Sequence, residues 1–406
     1  MKIINADFIY TPEGYVQNQS VAFTHTIKDI APLEELTQKY SDATVIQTEP
    51  NSILYPGFIN THVHLEFSAN KTSLTYGDFK PWLDSVIDHR DELMMACNNE
   101  MMMHECQNMM RSGITTFGAI SSFGNELEVC EKTPQRVVFF NELIGSNAMY
   151  ADMLYGDFQE RVRASHSCDT SSRITPAVAI HSPYSVHPVL LQKAVGLAKQ
   201  HKMPLSAHFL ESQAEREWLE SSSGSLIAFF LKYFNSSQTV TTIEEFMHAF
   251  DTYPTHFAHC VQATSEELNH LSQKGHSIAH CPRSNRYLGC GRLAIEELPL
   301  PFTVATDGLS SNDSLSMLDE LRAAIMLHND IPIKELAKKL LRAVTADAAD
   351  ILGLECGRIE PEKLADFAVI TLPETPKRTD DLALWSILHT KEVSEVYIEG
   401  EKQDLS

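Results

Sequence analysis

The chain has 406 residues, with 54 acidic against 32 basic side chains, a formal net charge of −22, and 43% hydrophobic and 21% charged content. That charge opposes attraction to phosphate backbones and anionic membranes, which argues against nucleic acid and membrane surfaces as partners. No run approaches the roughly 20 continuous apolar residues of a membrane helix, and the start "MKIINADFIY" lacks a secretory pattern. The eight cysteines contain no Cys-x-x-Cys pair and suit free thiols in a reducing compartment, so a cytoplasmic location is expected.

The length allows one large domain of about 250 to 300 residues and a smaller one. Residues 1 to about 50 read as short strands with turns, "KIINADFIYT", "SVAFTHTIKDIAP" and "ATVIQTEPNSILYPG", a small β unit. From Phe58 to Asp307, apolar runs of strand length alternate with stretches of helical period. The runs are "FINTHVH" (58–64), "ITTFGAI" (114–120), "RVVFFNEL" (136–143), "TPAVAIHS" (175–182), "PLSAHFL" (204–210), "THFAHC" (255–260), "HSIAHCP" (276–282) and "FTVATDG" (302–308). Eight strands alternating with helices predict an α/β fold of the (β/α)8 barrel type.

Helices are expected over 80–111, 187–201, 212–219 and 264–274. In the last, Thr264 or Ser265 caps, Glu267 sits in the first turn and Gly275 stops the helix. The Met-rich segment "ELMMACNNEMMMHECQNMM" reads as an adaptable, gap-filling helix face. After Asp307 come helices such as "IKELAKKLLRAVTADAADILGL", and then β character returns in "GRIEPEKLADFAVITL" and "VSEVYIEGEKQ". Both chain ends are therefore expected to build one β-sandwich, with domains at 1–55, 56–352 and 353–406.

Polar residues end the predicted strands, on the rim where barrel enzymes carry their chemistry. The first strand ends in His62 and His64, the fourth in His181, the fifth in His208, the sixth in His259, the seventh in His280 and the eighth in Asp307. Singly, such a histidine is more often structural and an Asp before Gly more often a turn residue. Together they form a nitrogen and oxygen set suited to one divalent ion, zinc first, with iron or manganese as alternatives. Such an ion would lower the pKa of a bound water, and Glu211, in "AHFLES", leaves the strand end beside His208 as a candidate proton carrier.

The motifs "PGFINTHVHLE", "AHFLES", "AHC" (258–260), "CPRSN" (281–285), "ATDG" (305–308) and "GRIEPEKLADFAVI", in this order, resemble the amidohydrolase superfamily over essentially the full length. The resemblance implies a metal held by His62, His64, His208 and Asp307. It also implies that His259 contacts the water or the developing tetrahedral centre. Binuclear members carry a carboxylated lysine at the end of the fourth strand, where this chain has "TPAVAIHSP", so a single ion is implied. Glu142 on the third strand is an acidic residue that could support a second ion, but it reads first as a polar residue of the barrel rim.

The His208-x-x-Glu211 spacing resembles the deaminases of cyclic amidines, in which Glu211 would protonate a ring nitrogen and Asp307 would take the water's proton. "HSPYS" (181–185) resembles a segment of adenosine-type deaminases, which makes His181 a purine contact. "THVHLEFS" followed by "DFKPWLDSVIDHRDEL" resembles the aminofutalosine deaminases, which implies a small nucleoside-like substrate carrying a benzoate. Arg90 is then the candidate for the carboxylate, against an ion pair with Asp91. Trp82 is a candidate cavity wall or helix anchor, and Glu66 a candidate for a ribose hydroxyl or for orienting a ligand. Other adenosine derivatives, guanine, triazine or amide hydrolysis, and a non-catalytic barrel are the alternatives, and the resemblance also carries over a homodimer.

Overall fold

The computed structural model describes residues 1–168 and 173–405. Eight parallel strands form one sheet in sequential order: β1 (Phe58–Val63), β2 (Ile114–Ser121), β3 (Arg136–Leu143), β4 (Ile174–Ile180), β5 (Leu205–Phe209), β6 (His256–His259), β7 (Ser277–His280) and β8 (Phe302–Val304). All eight coincide with the expected apolar runs to within a few residues. The seam between β8 and β1 closes mainly through side chains. Asn60 Nδ2 donates to Thr306 Oγ1 at 2.7 Å, Thr306 N–H donates to Asn60 Oδ1 at 3.2 Å, and the Thr61 and Thr303 hydroxyls lie 2.6 Å apart. One backbone bond, from Asp307 N–H to the His62 carbonyl at 3.1 Å, continues this seam and sets the last strand's end against the first.

The segment expected as a single helix over 80–111 is two: α1 (Phe79–Ala96) and α2 (Asn99–Arg111). Asn98 breaks it by capping the second helix, its side chain accepting the Met101 N–H at 2.9 Å. Met102, Cys106, Met109 and Met110 on α2 are buried, so the Met-rich stretch is a core-facing stripe. The expected capping at Thr264 is present as a full capping box with Glu267, and the helix runs Ser265–Gln273. The stretch after residue 332 likewise divides, into Ile333–Ala343 and Ala346–Leu352, because the Val344 carbonyl turns to accept from Ile59 N–H at 2.8 Å.

Outside the barrel lie a four-stranded sheet built from residues 2–47 and a six-stranded sheet that joins both chain ends. Ser52–Pro56 pairs antiparallel with Phe367–Thr371, with Leu54 opposite Val369. Ile4, Val21 and Phe23 from one sheet pack with Leu54, Phe367 and Tyr397 from the other in a single buried cluster. The chain then passes from Pro56 into the barrel through Gly57, where any Cβ would lie 2.0 Å from Thr115 Oγ1. Among the described residues no helix is long and apolar enough to cross a membrane, and all eight cysteines are free.

Candidate metal centre and active site

The C-terminal rim gathers six predicted side chains into one place. His62, His64 and Asp307 form one group, His62, His208 and His259 a second, and Glu211, His259 and Asp307 a third, with their ligand-type atoms within 4.8 Å of one another in each. His64 Nε2 and His208 Nε2 are 3.3 Å apart, and Asp307 Oδ1 is 3.8 Å from His62 Nε2 and 3.7 Å from His64 Nε2. Two nitrogens bound to one zinc at 2.0–2.1 Å in tetrahedral geometry would stand about 3.3 Å apart, so the spacing suits such an ion. His62 is 1% exposed, and neither of its ring nitrogens has a hydrogen-bond partner among the described residues. A buried imidazole so deprived is costly unless something else binds it, and the donor set fits a divalent metal.

Neighbouring groups orient these ligands. His208 Nδ1–H donates to the His181 carbonyl at 2.6 Å, which leaves Nε2 with a free lone pair facing the cluster. Asp307 sits at φ 59°, its Oδ2 accepting hydroxyl hydrogens from Ser284 at 2.7 Å and Ser311 at 2.8 Å, while Oδ1 accepts the Gly308 N–H at 2.8 Å and faces the histidines. Burial pushes the Asp307 carboxyl up, but the imidazoles of His64, His259 and His62 outweigh it and hold it well below the usual range. The next residue must be small, because a Cβ on Gly308 would lie 2.8 Å from His64 Cβ.

Glu211 stands on the far side of the cluster, its Oε1 3.8 Å from His259 Nε2. Burial pushes its carboxyl up to about 7, with His259 opposing and Asp307 adding to the rise. His259 Nδ1–H donates to Asn285 Oδ1 at 2.9 Å, so its Nε2 points towards Glu211. Burial lowers the His259 value, and the carboxylates of Glu211 and Asp307 more than reverse it.

A cavity of about 330 Å³ opens over these groups and is lined by His64, His208, Glu211, His259 and Asp307 at its floor. His181 reaches its wall, with Nδ1 held by the hydroxyls of Ser182 at 2.9 Å and Ser185 at 2.6 Å, and burial lowers its value to about 4. Trp82 lines the cavity, and its Nε1–H donates to the Ser310 carbonyl at 2.8 Å, which ties α1 to that segment. Arg90 lines the cavity mouth while its Nε lies 3.2 Å from Asp91 Oδ1.

Two expectations, at Glu66 and His280, are corrected, and Glu142 keeps the rim position that its bland reading gave it. Glu66 does not reach the cavity: β1 ends at Val63, the chain turns, and the Glu66 carboxylate accepts Ser122 N–H at 3.0 Å and Phe123 N–H at 2.8 Å. Glu142 is not brought into the metal groups. One of its oxygens accepts from Ser122 Oγ at 2.6 Å, and the other faces His208 Nδ1, the nitrogen turned away from the cluster, at 3.6 Å. His280 faces outward, with its Nε2 2.9 Å from His328 Nε2, because alternation along β7 sends Ala279 and Cys281 inward instead.

Some functional neighbours carried no role in the sequence reading. Ser284 and Asn285 lay within "CPRSN" and Ser311 beyond "ATDG", without a signal of their own. The aromatic wall of Phe229, Phe230 and Phe234 comes from a helix, Leu226–Phe234, whose Phe230 stacks on Trp218 at 4.3 Å. Its apolar run "LIAFFLKYF" between serine-rich flanks was the available signal.

Residues 53–402 match the amidohydrolase family. The chain is 44% identical over 403 residues to an aminodeoxyfutalosine deaminase of a Nitratiruptor species, covering 99% of each chain. It is 35% identical over 396 residues to an adenosine deaminase of Helicobacter pylori, covering 95% of each. The crystal structure of Helicobacter pylori aminofutalosine deaminase in complex with methylthio-coformycin superposes with a TM-score of 0.94 at 33% identity, covering the whole of both chains. The metal-type ligand set at the barrel rim and a match over most of its length place the chain in the amidohydrolase family of metal-dependent hydrolases.

Proposed function

We propose that the chain is a hydrolytic deaminase that converts 6-amino-6-deoxyfutalosine to futalosine and ammonia. The observation that carries the reading is the placing of the Glu211 carboxyl, its pKa pushed up to about 7 by burial, beside a three-histidine and one-aspartate cluster that lines a cavity. The 44% identity to the Nitratiruptor deaminase supports the substrate.

In this reading His62, His64, His208 and Asp307 hold one divalent ion, zinc. Once bound, such an ion lowers the pKa of a water towards neutrality and so supplies the nucleophile. Glu211, protonated in part at neutral pH, donates to the ring nitrogen beside the carbon that bears the amino group, which makes that carbon electrophilic. Asp307 Oδ1, already ionised and pinned through Oδ2, takes the proton of the attacking water. His259 contacts the water or the developing tetrahedral centre, and the amine leaves as ammonia after receiving the proton held by Asp307, while the new hydroxyl returns a proton to Glu211. His181 contacts the purine, Trp82 walls the nucleoside, and Arg90 pairs with the distal carboxylate. The reading also keeps a cytoplasmic homodimer and domains at 1–55, 56–352 and 353–406.

The test is ammonia release from aminofutalosine by metal-loaded protein. Wild-type protein should turn it over, and Glu211→Gln should lose about 10²- to 10⁴-fold in kcat while retaining metal. The 35% identity to an adenosine deaminase favours adenosine as the second substrate to try. Faster turnover of adenosine would overturn the substrate and leave the deaminase reading standing.

A further inference from the structure

A second carboxylate stands directly behind Glu211, and none of the steps above uses it. Glu215, on the helix Gln213–Ser221, is 1% exposed. Its Oε1 accepts the Leu210 N–H at 3.2 Å and its Oε2 accepts the Glu211 N–H at 2.8 Å. Ser212 caps the same helix, its hydroxyl accepting the Glu215 N–H at 3.2 Å. In an ordinary capping box the acidic side chain returns to the N–H of the cap residue itself. Here it passes over Ser212 and takes the two amides before it, which belong to the turn that carries Glu211.

That turn needs holding. Leu210 lies at φ 45°, in the left-handed region that a leucine rarely enters. The turn is also tied to the neighbouring strand end: Cys260 N–H donates to the Phe209 carbonyl and Gln262 N–H to the Leu210 carbonyl, each at 2.9 Å. His259 and Cys260, at φ 70° and 50°, complete a pair of left-handed turns whose side chains meet as Glu211 Oε1 and His259 Nε2. Two adjacent amide hydrogens require two acceptors at once. A carboxylate supplies both from one planar group, whereas a glutamine supplies one oxygen and turns an NH₂ towards the other amide.

We infer that Glu215 is a positioning residue: by accepting the Leu210 and Glu211 amide hydrogens it fixes the left-handed turn that aims the Glu211 carboxyl at the substrate. The inference rests on Glu211 being the proton carrier. A displacement of about 1 Å in such a group costs on the order of 10²-fold in rate.

A double-mutant cycle tests it on metal-loaded protein with aminofutalosine, or with any adenosine-type substrate that the protein turns over. Glu215→Gln should lower kcat about 10- to 100-fold, leave KM within about threefold and keep one metal per chain. In a Glu211→Gln background the same substitution should change the residual rate less than about twofold, because the group it positions is gone. Glu215→Asp, which keeps the charge but is too short to span both amides, replaces Glu215→Gln if that variant does not fold. Unchanged kcat in Glu215→Gln overturns the inference. So does a loss that repeats at full size without Glu211, or one that follows folded fraction or metal content alone. If Glu211→Gln itself keeps its rate, the proton-carrier reading fails and the positioning role falls with it; a large Glu211→Gln loss with no Glu215→Gln loss sinks the positioning role alone.

Discussion

The ends of β5 and β7 offer the same residue in nearly the same place and put it to opposite uses. His208 on β5 faces the barrel axis and donates through Nδ1 to a carbonyl, which frees Nε2 for the cluster. His280 on β7 faces the outer layer, where Arg292 donates to His328 Nδ1 at 3.0 Å and His328 Nε2 lies 2.9 Å from His280 Nε2. Because a guanidinium can only donate, neutral His328 carries its proton on Nε2 and gives it to His280. Burial first, and then the repulsion that a proton on the adjacent His328 would add, keeps His280 well below its ordinary value, so this is a neutral structural chain. Strand parity, more than residue type, separates a candidate ligand from a brace.

Substitution breaks the comparison most sharply on the inner side. His208→Ala should abolish stable metal binding and lower deaminase activity by at least about 10³-fold, the scale of losing a central catalytic group. The melting temperature of the metal-free protein should shift little by comparison. Metal analysis after gel filtration, with the rate measured on the same sample, checks this. A variant that kept one metal per chain and its rate would remove His208 from the ligand set.

On the outer side the same change should show the reverse pattern. His280→Ala leaves the His328 Nε2–H without an acceptor in a buried place and opens a cavity, so stability should fall by about 2 to 4 kcal/mol. Metal content and the rate per folded protein should stay at the wild-type level. Urea unfolding alongside the ammonia assay measures both, and a lost metal would place His280 back among the site residues.

Much of this contrast could be read from the chain before any coordinates. The eight strands, and the meeting on one rim of the side chains at the ends of β1, β5 and β8 with Glu211, follow from period and motif order, since each strand end delivers its side chain to one rim. What failed did so where that rule stops. Glu66 lies past the strand end at Val63, and the turn carries it to two backbone amides instead. His280 also ends a strand, but alternation from Ala279 turns its ring towards His328 and away from the rim. Ser284, Ser311 and Glu215 act through other residues, and bonds between segments far apart in sequence, or across a turn in left-handed backbone, leave no periodic trace.

A third cluster, of the same residue types, sharpens the comparison at its weak end. Asp251 lies near the surface between His248 Nδ1 at 3.1 Å, His270 Nε2 at 2.7 Å and Lys274 Nζ at 3.1 Å. Burial raises its carboxyl, but the hydrogen bonds from His248, His270 and Lys274 prevail and bring it from 3.8 down to about 2. A carboxyl with a lowered folded value stabilises the fold above its unfolded value and loses that contribution as pH falls through the folded one. The window is therefore about pH 4 to 2. Discounted for solvent screening, the contribution is about 1 kcal/mol. Asp251→Asn should lower stability by that amount at pH 6, and the gap from wild type should close between about pH 4 and 2 in urea titrations. A gap that persisted at about pH 2 would mean that the lysine and histidines grip the neutral side chain as firmly as the charged one. The cluster would then be a hydrogen-bonded brace of the His280 kind and not an electrostatic one.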